Sequence, residues 1–226
     1  MRAEEAETLA KWVLDLRLPQ GTICLNIGSS TAHFREQEKP HIQSRFIRPL
    51  EEAGIRFVHC DMKRAEGVDE IGDVFDPDFQ ARLQAYDAKL LVCSNLLEHL
   101  TQPRTFAAAC GSLIRDGAYA VFSVPLSYPY HPDPIDTMLR VKPDQLAAML
   151  PEWRVLRSGE IDDGSFWGDL KKSGRPWRAL LKHIGRVALP FYRSKKWRSM
   201  ASYLSWLGRP YKISMVLLEK PEHGRA

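Results

Sequence analysis

No uninterrupted apolar run in these 226 residues reaches the roughly 18 that a membrane-crossing helix needs. The N-terminus carries Glu4, Glu5 and Glu7, where a secretory signal would be basic and then apolar. A cytoplasmic, soluble protein is therefore expected. The four cysteines, Cys24, Cys60, Cys93 and Cys110, include no Cys-x-x-Cys pair. Three of them fall inside apolar, strand-like runs, where a reduced thiol acts as a small hydrophobe. Zinc and disulfides are set aside on that ground. The chain also lacks an internal repeat and any low-complexity tract, which excludes solenoids and fibrous classes.

What is present suits a folded domain: 44% hydrophobic residues, 27% charged and 10% aromatic are enough for a real core. The length fits a single domain over 1–226, opening with an N-terminal helical segment at 1–18. Charge is unevenly placed. Between Gly164 and Lys212 there are twelve Lys and Arg against one acid, Asp169, so this stretch carries +11 and the remainder −7 for a net +4. The same stretch holds Trp167, Trp177, Trp197 and Trp206, and it reads as a basic helical insertion over 164–210 on an acidic body.

Ala3 to Leu16 has apolar residues at helical spacing and acids in its first turn. After it come short apolar runs, Thr22 to Ile27, Ile55 to Cys60, Leu90 to Ser94 and Tyr119 to Val124. Val68 to Val74 offers a short edge strand. Runs this short and continuously apolar suit strands covered on both faces, as in a parallel sheet. Helices are expected at His41 to Ala53, Pro103 to Ile114 and Pro143 to Leu150, with Ala32 to Pro40 as an inserted polar loop. Trp153 to Ser158 and Lys212 to Glu219 complete the strands. The pattern predicts an α/β fold with a doubly wound, mostly parallel, seven-stranded sheet whose site lies at the strands' carboxyl ends.

The loops after the strands carry the chemistry. The first run breaks into Gly28-Ser29-Ser30, small residues that let a ligand approach the backbone. The second ends in Asp61, a carboxylate able to accept hydrogen bonds from ribose hydroxyls, although it stands 33 residues after Gly28, against roughly 20 in dinucleotide fingerprints.

Taken together, Leu25-Asn26-Ile27-Gly28-Ser29-Ser30, Asp61, Gly72-Asp73, Cys93-Ser94-Asn95-Leu96-Leu97-Glu98-His99 and Ile114-Arg115-Asp116-Gly117-Ala118 resemble the ordered motifs of class I S-adenosylmethionine-dependent methyltransferases, in the subgroup with Leu-Glu-His after the fourth strand. The resemblance implies a Rossmann-like fold and S-adenosylmethionine as cofactor. It implies that Gly28, Ser29 and Ser30 line the methionine part and that Asp61 holds the ribose hydroxyls, with Asn26 and Met62 also among the cofactor-binding residues. Asp73 and Val74 would meet the adenine, and Ser94 and Asn95 would close the pocket floor. The family prefers an acid at Asn26 and glycines at Ser30 and Ala32.

Methyl transfer from a sulfonium is an in-line displacement that gains most from positioning and exclusion of water. An acceptor that must lose a proton also gains from a base, and His99 and His131 are the catalytic candidates. His99 could equally serve to cap or pack the following helix. His131 lies in a proline-rich arch, Pro125 to Asp136, where Tyr128 and Tyr130 could wall an acceptor pocket. His131, Asp133 and Asp136 offer metal-ligand types but read as solvating groups of a proline arch, so catalysis without a metal is expected.

In the basic stretch, Trp177, Leu180, Leu181, Ile184 and Ala188 share one helical arc, with Arg178, Lys182, His183 and Arg186 opposite. A second amphipathic helix follows the break at Pro190, with Trp197, Met200, Ala201, Leu204 and Leu207 on its apolar side and Lys195, Lys196 and Arg198 near its start. These faces either pack on the domain or meet an anionic membrane surface; nucleic acid ranks last as a partner. The sequence reads as a methyltransferase for a small-molecule, glycan or lipid-linked acceptor, at the inner face of a membrane if the basic segment engages one. The alternative is an inactive methyltransferase-like binding module at a membrane. A nicotinamide oxidoreductase is disfavoured, because no glycine-rich turn runs straight into a helix N-terminus.

Overall fold

The computed structural model describes residues 1–132, 135–189 and 194–222. Asp133 and Pro190, and the side chains of Lys195 and Lys196, lie outside what is described.

Seven strands form one sheet: β1 (Ile23–Ile27), β2 (Arg56–Asp61), β3 (Glu70–Ile71), β4 (Leu90–Ser94), β5 (Tyr119–Ser127), β6 (Arg154–Ser165) and β7 (Pro210–Glu219). Their spatial order is β3-β2-β1-β4-β5-β7-β6. The first five are mutually parallel, and β7 runs antiparallel to both β5 and β6. The order reverses beside β1, where β2 pairs on one side and β4 on the other. A crevice at the carboxyl ends follows from that reversal.

Helices cover both faces. On one face α1 (Ala3–Leu14) buries Ala6, Leu9, Ala10 and Val13 together with Phe46, Ile47 and Leu50. The latter come from a helical stretch built of α2 (Pro40–Ile42), a π-helical segment Gln43–Ile47 and α3 (Arg48–Glu52). On the other face α4 (Pro77–Gln84), α5 (Pro103–Ser112) and α6 (Pro143–Ala147) pack over the second core cluster, which includes Phe79, Phe106 and Leu146. Strands β1 and β4 have Leu25, Leu90, Leu91 and Val92 fully buried, which accounts for their continuously apolar sequence. All four cysteines are buried free thiols.

The sequence pattern located these strands within a few residues and needs correction in four places. The first helix ends at Leu14 rather than Leu16, and β6 runs on to Ser165. The polar stretch 32–40 is not simply a loop, because Phe34–Glu38 forms a π-helical turn that buries Arg35. Part of the proline arch is strand: β5 extends through Pro125, which faces Ile213, with an irregularity before Ser127. A proline fits there because the register already breaks.

Between β6 and β7 lie α7 (Phe166–Lys172), α8 (Pro176–Ala188) and α9 (Ser194–Leu204). Ser165 caps α7 by accepting the Gly168 N–H at 3.1 Å. A third apolar cluster of Phe166, Leu170 and Tyr211, joined by Leu180, Tyr203 and Trp206, ties these helices to the start of β7. His183 belongs to this cluster rather than to the outer polar side: its ring meets Phe166 at 4.9 Å and its Nε2 bonds the Met200 carbonyl at 2.7 Å. Leu180 turns inward as well, whereas Trp177 and Leu181 are each 68% exposed. No described helix is long and apolar enough to cross a membrane.

Candidate active site

At the carboxyl ends of β1, β2, β4 and β5 is a cavity of about 710 Å³. That is the size range of small-molecule and cofactor sites. Asn26, Gly28, Ser29, Ser30, Asp61, Met62, Asp73, Val74, Ser94, Asn95, His99 and His131 all line it. Residues chosen from separate loops thus converge on one space.

Gly28 leaves β1 at φ +71°, and a Cβ there would come within 2.7 Å of Leu96 Cδ2. Ser30 follows at φ +56°. The Ser30 N–H donates to Asp61 Oδ2 at 2.8 Å, and the Lys63 N–H donates to Asp61 Oδ1 at 3.1 Å. Asp61 is thereby fixed beside the β1 loop, with lone pairs left for further donors. Arg35, only 4% exposed, clamps the same loop from behind. Its guanidinium donates to the carbonyls of Ser29 (3.2 Å), Ser30 (2.7 Å) and Gly67 (2.8 Å). Two carbonyls of this loop and one from the segment after β2, held by one side chain, stiffen a loop that has only one glycine. Sequence reasoning missed Arg35, since an arginine in a polar stretch carries no signal of its own.

Asn26 Nδ2 donates to His59 Nδ1 at 3.1 Å, so this imidazole keeps its lone pair on Nδ1. Burial, and then the nearby Arg35, push the His59 pKa down to about 4. Asp73 accepts the Phe75 N–H at 3.0 Å, while Gly72 leaves room for the Phe79 ring, which a Cβ would meet at 2.4 Å. Val74, Phe79 and Phe106 give that end of the cavity an apolar wall.

The floor is set by Glu5, which the sequence marks only as a first-turn acid of the N-terminal helix. Wholly buried on α1, it accepts hydrogen bonds from Asn95 Nδ2 at 2.8 Å and from the Ser123 hydroxyl, while Ser94 Oγ bonds Ser123 Oγ at 2.8 Å. Asn95 takes φ +51°, a conformation that asparagine tolerates better than most side chains. The first-turn acids of α1 therefore include one group that reaches the site from beneath.

At the opposite end His99, His131 and Tyr128 meet, with ring centroids 5.3 Å apart for the two histidines and 4.9 Å for Tyr128 and His131. The Arg2 guanidinium lies 4.5 Å from the Tyr211 ring and 5.9 Å from the Tyr128 ring, and those two rings are 4.7 Å apart. Asp136 anchors the arch by accepting the His131 N–H at 3.0 Å and pairing with Arg140 at 2.8 Å. Burial alone would raise its pKa, but the Arg140 pairing and the backbone donors of His131 and Met138 hold the Asp136 carboxyl below its ordinary range. Asp133, the third residue of the set His131, Asp133 and Asp136, lies outside the described residues.

This architecture recurs in solved proteins. It superimposes on the [4+2]-cyclase SpnF with a TM-score of 0.58 at 12% identity, over 97% of this chain and 82% of that one. A putative sarcosine dimethylglycine methyltransferase from Galdieria sulphuraria gives 0.58 at 10% identity, over 95% and 84%. Coclaurine N-methyltransferase, bound to N-methylheliamine and SAH, gives 0.57 at 11%, over 94% and 71%. The chain has the class I methyltransferase fold. No protein-family model and no curated protein sequence matches it. At these identities the methyltransferase fold is what is shared, and the chemistry has to be argued from the cavity.

Proposed function

We propose that the chain is an S-adenosylmethionine-dependent methyltransferase acting on a small-molecule, glycan or lipid-linked acceptor. The observation that carries this reading is the convergence of Gly28, Asp61, Asp73 and Asn95 on one cavity, with Asp61 pinned by two backbone N–H groups. The donor set fits the cofactor. A fixed carboxylate suits a ribose diol, the apolar wall of Val74, Phe79 and Phe106 suits a purine, and Gly28 gives backbone access to an amino-acid tail. When bound, the sulfonium supplies an electrophilic methyl group, leaving its bonding pair on sulfur as the new bond to the acceptor forms.

The chain's own contribution is positional. Asp61 orients one end of the cavity, the Arg35 clamp holds the loop, and Tyr128 and the arch screen the other end from water. His99 and His131 line the end of the cavity where the acceptor would sit. SpnF is a cyclase on the same fold, so the test has to detect the cofactor itself. Native mass spectrometry of freshly purified protein is expected to show a mass increment for S-adenosylmethionine or S-adenosylhomocysteine. Saturating additions of both nucleosides that leave the protein ligand-free would refute the reading.

A second, separable part concerns location. Trp177, Leu181 and Ile184 form an outward apolar stripe on α8, bordered by the exposed cations Arg178 and Lys182. That pairing favours an anionic membrane surface as the place where the enzyme works. We assign 164–210 as the segment that makes this contact, on a domain spanning 1–226.

A further inference from the structure

Glu98 is fully buried, and neither of its carboxylate oxygens has a hydrogen-bond partner among the described residues. An orphaned carboxylate in a protein interior is costly, because it has given up water and gained no donor. It lines the same cavity as His99 and His131. Both imidazoles aim Nε2 at its Oε1, each from 3.8 Å.

The opposite ring nitrogens fix the tautomer of each neutral ring. His99 Nδ1 bonds the Ile135 carbonyl, and His131 Nδ1 lies 3.0 Å from the Pro129 carbonyl and 3.3 Å from Asp136 Oδ2. Carbonyl oxygens only accept, so in each neutral ring the proton sits on Nδ1 and the lone pair on Nε2. Two imidazole lone pairs and a carboxylate with no donor therefore face one point. Three groups that all accept lack a cation, and the Nδ1 bonds to carbonyl and carboxylate are the outer-sphere supports typical of metal-ligating histidines.

We infer that Glu98, His99 and His131 bind one divalent first-row transition ion. Their ligand atoms lie within 4.8 Å of one another. Two ligands on one ion at bond lengths of about 2.1 Å can be at most about 4.2 Å apart, so the 3.8 Å pairs fit and only a small side-chain adjustment closes the third. Two imidazoles and one carboxylate form a set that suits manganese, iron, cobalt or zinc better than calcium, and it leaves coordination positions for an oxygen of a bound acceptor. The inference rests on the methyltransferase reading for its role, and it gives the imidazoles to a metal rather than to a proton. Its geometry stands independently of that reading.

Manganese titration followed by electron paramagnetic resonance tests the site directly. Metal-free wild-type protein is expected to bind one Mn²⁺ per chain, with loss of the free-ion signal. Glu98→Gln, which keeps the shape and removes the charge, and His131→Ala should each bind at least about tenfold more weakly. Saturating Mn²⁺ should also raise the melting temperature of the wild type more than that of either variant. Absence of saturable binding in the wild type, or equal binding by folded variants, would overturn the site. S-adenosylhomocysteine titrated into the same samples separates the two readings: nucleoside binding without metal binding defeats only the metal site, and the reverse defeats only the methyltransferase reading.

Discussion

Glu5 and Asn95, 90 residues apart in the chain, meet at 2.8 Å beneath the cavity, where the Glu5 carboxylate accepts the Asn95 amide. The same carboxylate takes the Ser123 hydroxyl, which in turn bonds Ser94. One side chain of α1 thus fixes the turn after β4.

Replacing Glu5 with alanine strips an acceptor from buried polar groups. Glu5→Ala is expected to cost about 1.5 to 3 kcal/mol, the range for a hydrogen bond to a charged group. Chemical denaturation followed by circular dichroism measures the loss. A wild-type unfolding midpoint would contradict the role given to Glu5.

Gly28→Ala should destabilise through two effects. Its φ of +71° is unfavourable for alanine, and the new Cβ meets Leu96. The combined cost is expected at about 1 to 2 kcal/mol, with weaker nucleoside binding because Leu96 must move. Thermal melts with and without S-adenosylhomocysteine separate the two effects.

Acid sensitivity is predicted at His59. Its folded pKa of about 4 lies below the ordinary 6.5. Above pH 6.5 the imidazole is neutral in both folded and unfolded chains and contributes no pH dependence. As pH falls from 6.5 to 4 the unfolded chain takes up the proton first, so stability declines, by at most about 3 kcal/mol. His59→Gln should flatten this part of the stability profile, which urea denaturation at stepped pH would reveal; an unchanged slope would argue against His59.

The strands were legible because burial on both faces leaves continuous apolar runs, as in Leu90 to Val92, and the loop residues were legible because motif order ties them to strand ends. Helical contributions were harder. Glu5 looks like any first-turn acid, and its value comes from a contact made across the fold. Arg35 sat in a stretch whose polarity suggested a loop. Glu98 was visible inside Leu-Glu-His, yet its burial without a partner is a property of three dimensions. Periodicity placed Leu180 beside Trp177, whereas packing against Phe166 and Tyr211 turns it inward and leaves Trp177 and Leu181 outside. Amphipathic spacing gives an arc but not which side of it meets the protein.

For α8 the prediction is vesicle binding. Sedimentation with vesicles containing phosphatidylserine should recover the wild type, and Leu181→Glu should reduce recovery several-fold, as should raised salt. Equal recovery with neutral vesicles would contradict the part assigned to Arg178 and Lys182.

The most direct test of the central claim is calorimetric titration of S-adenosylhomocysteine into wild-type protein and Asp61→Ala. The cavity geometry predicts saturable one-to-one binding, weakened in the variant by about 1.5 to 3 kcal/mol, or roughly 10- to 150-fold in Kd. No heat of binding in the wild type, or the same Kd in both proteins, would contradict it.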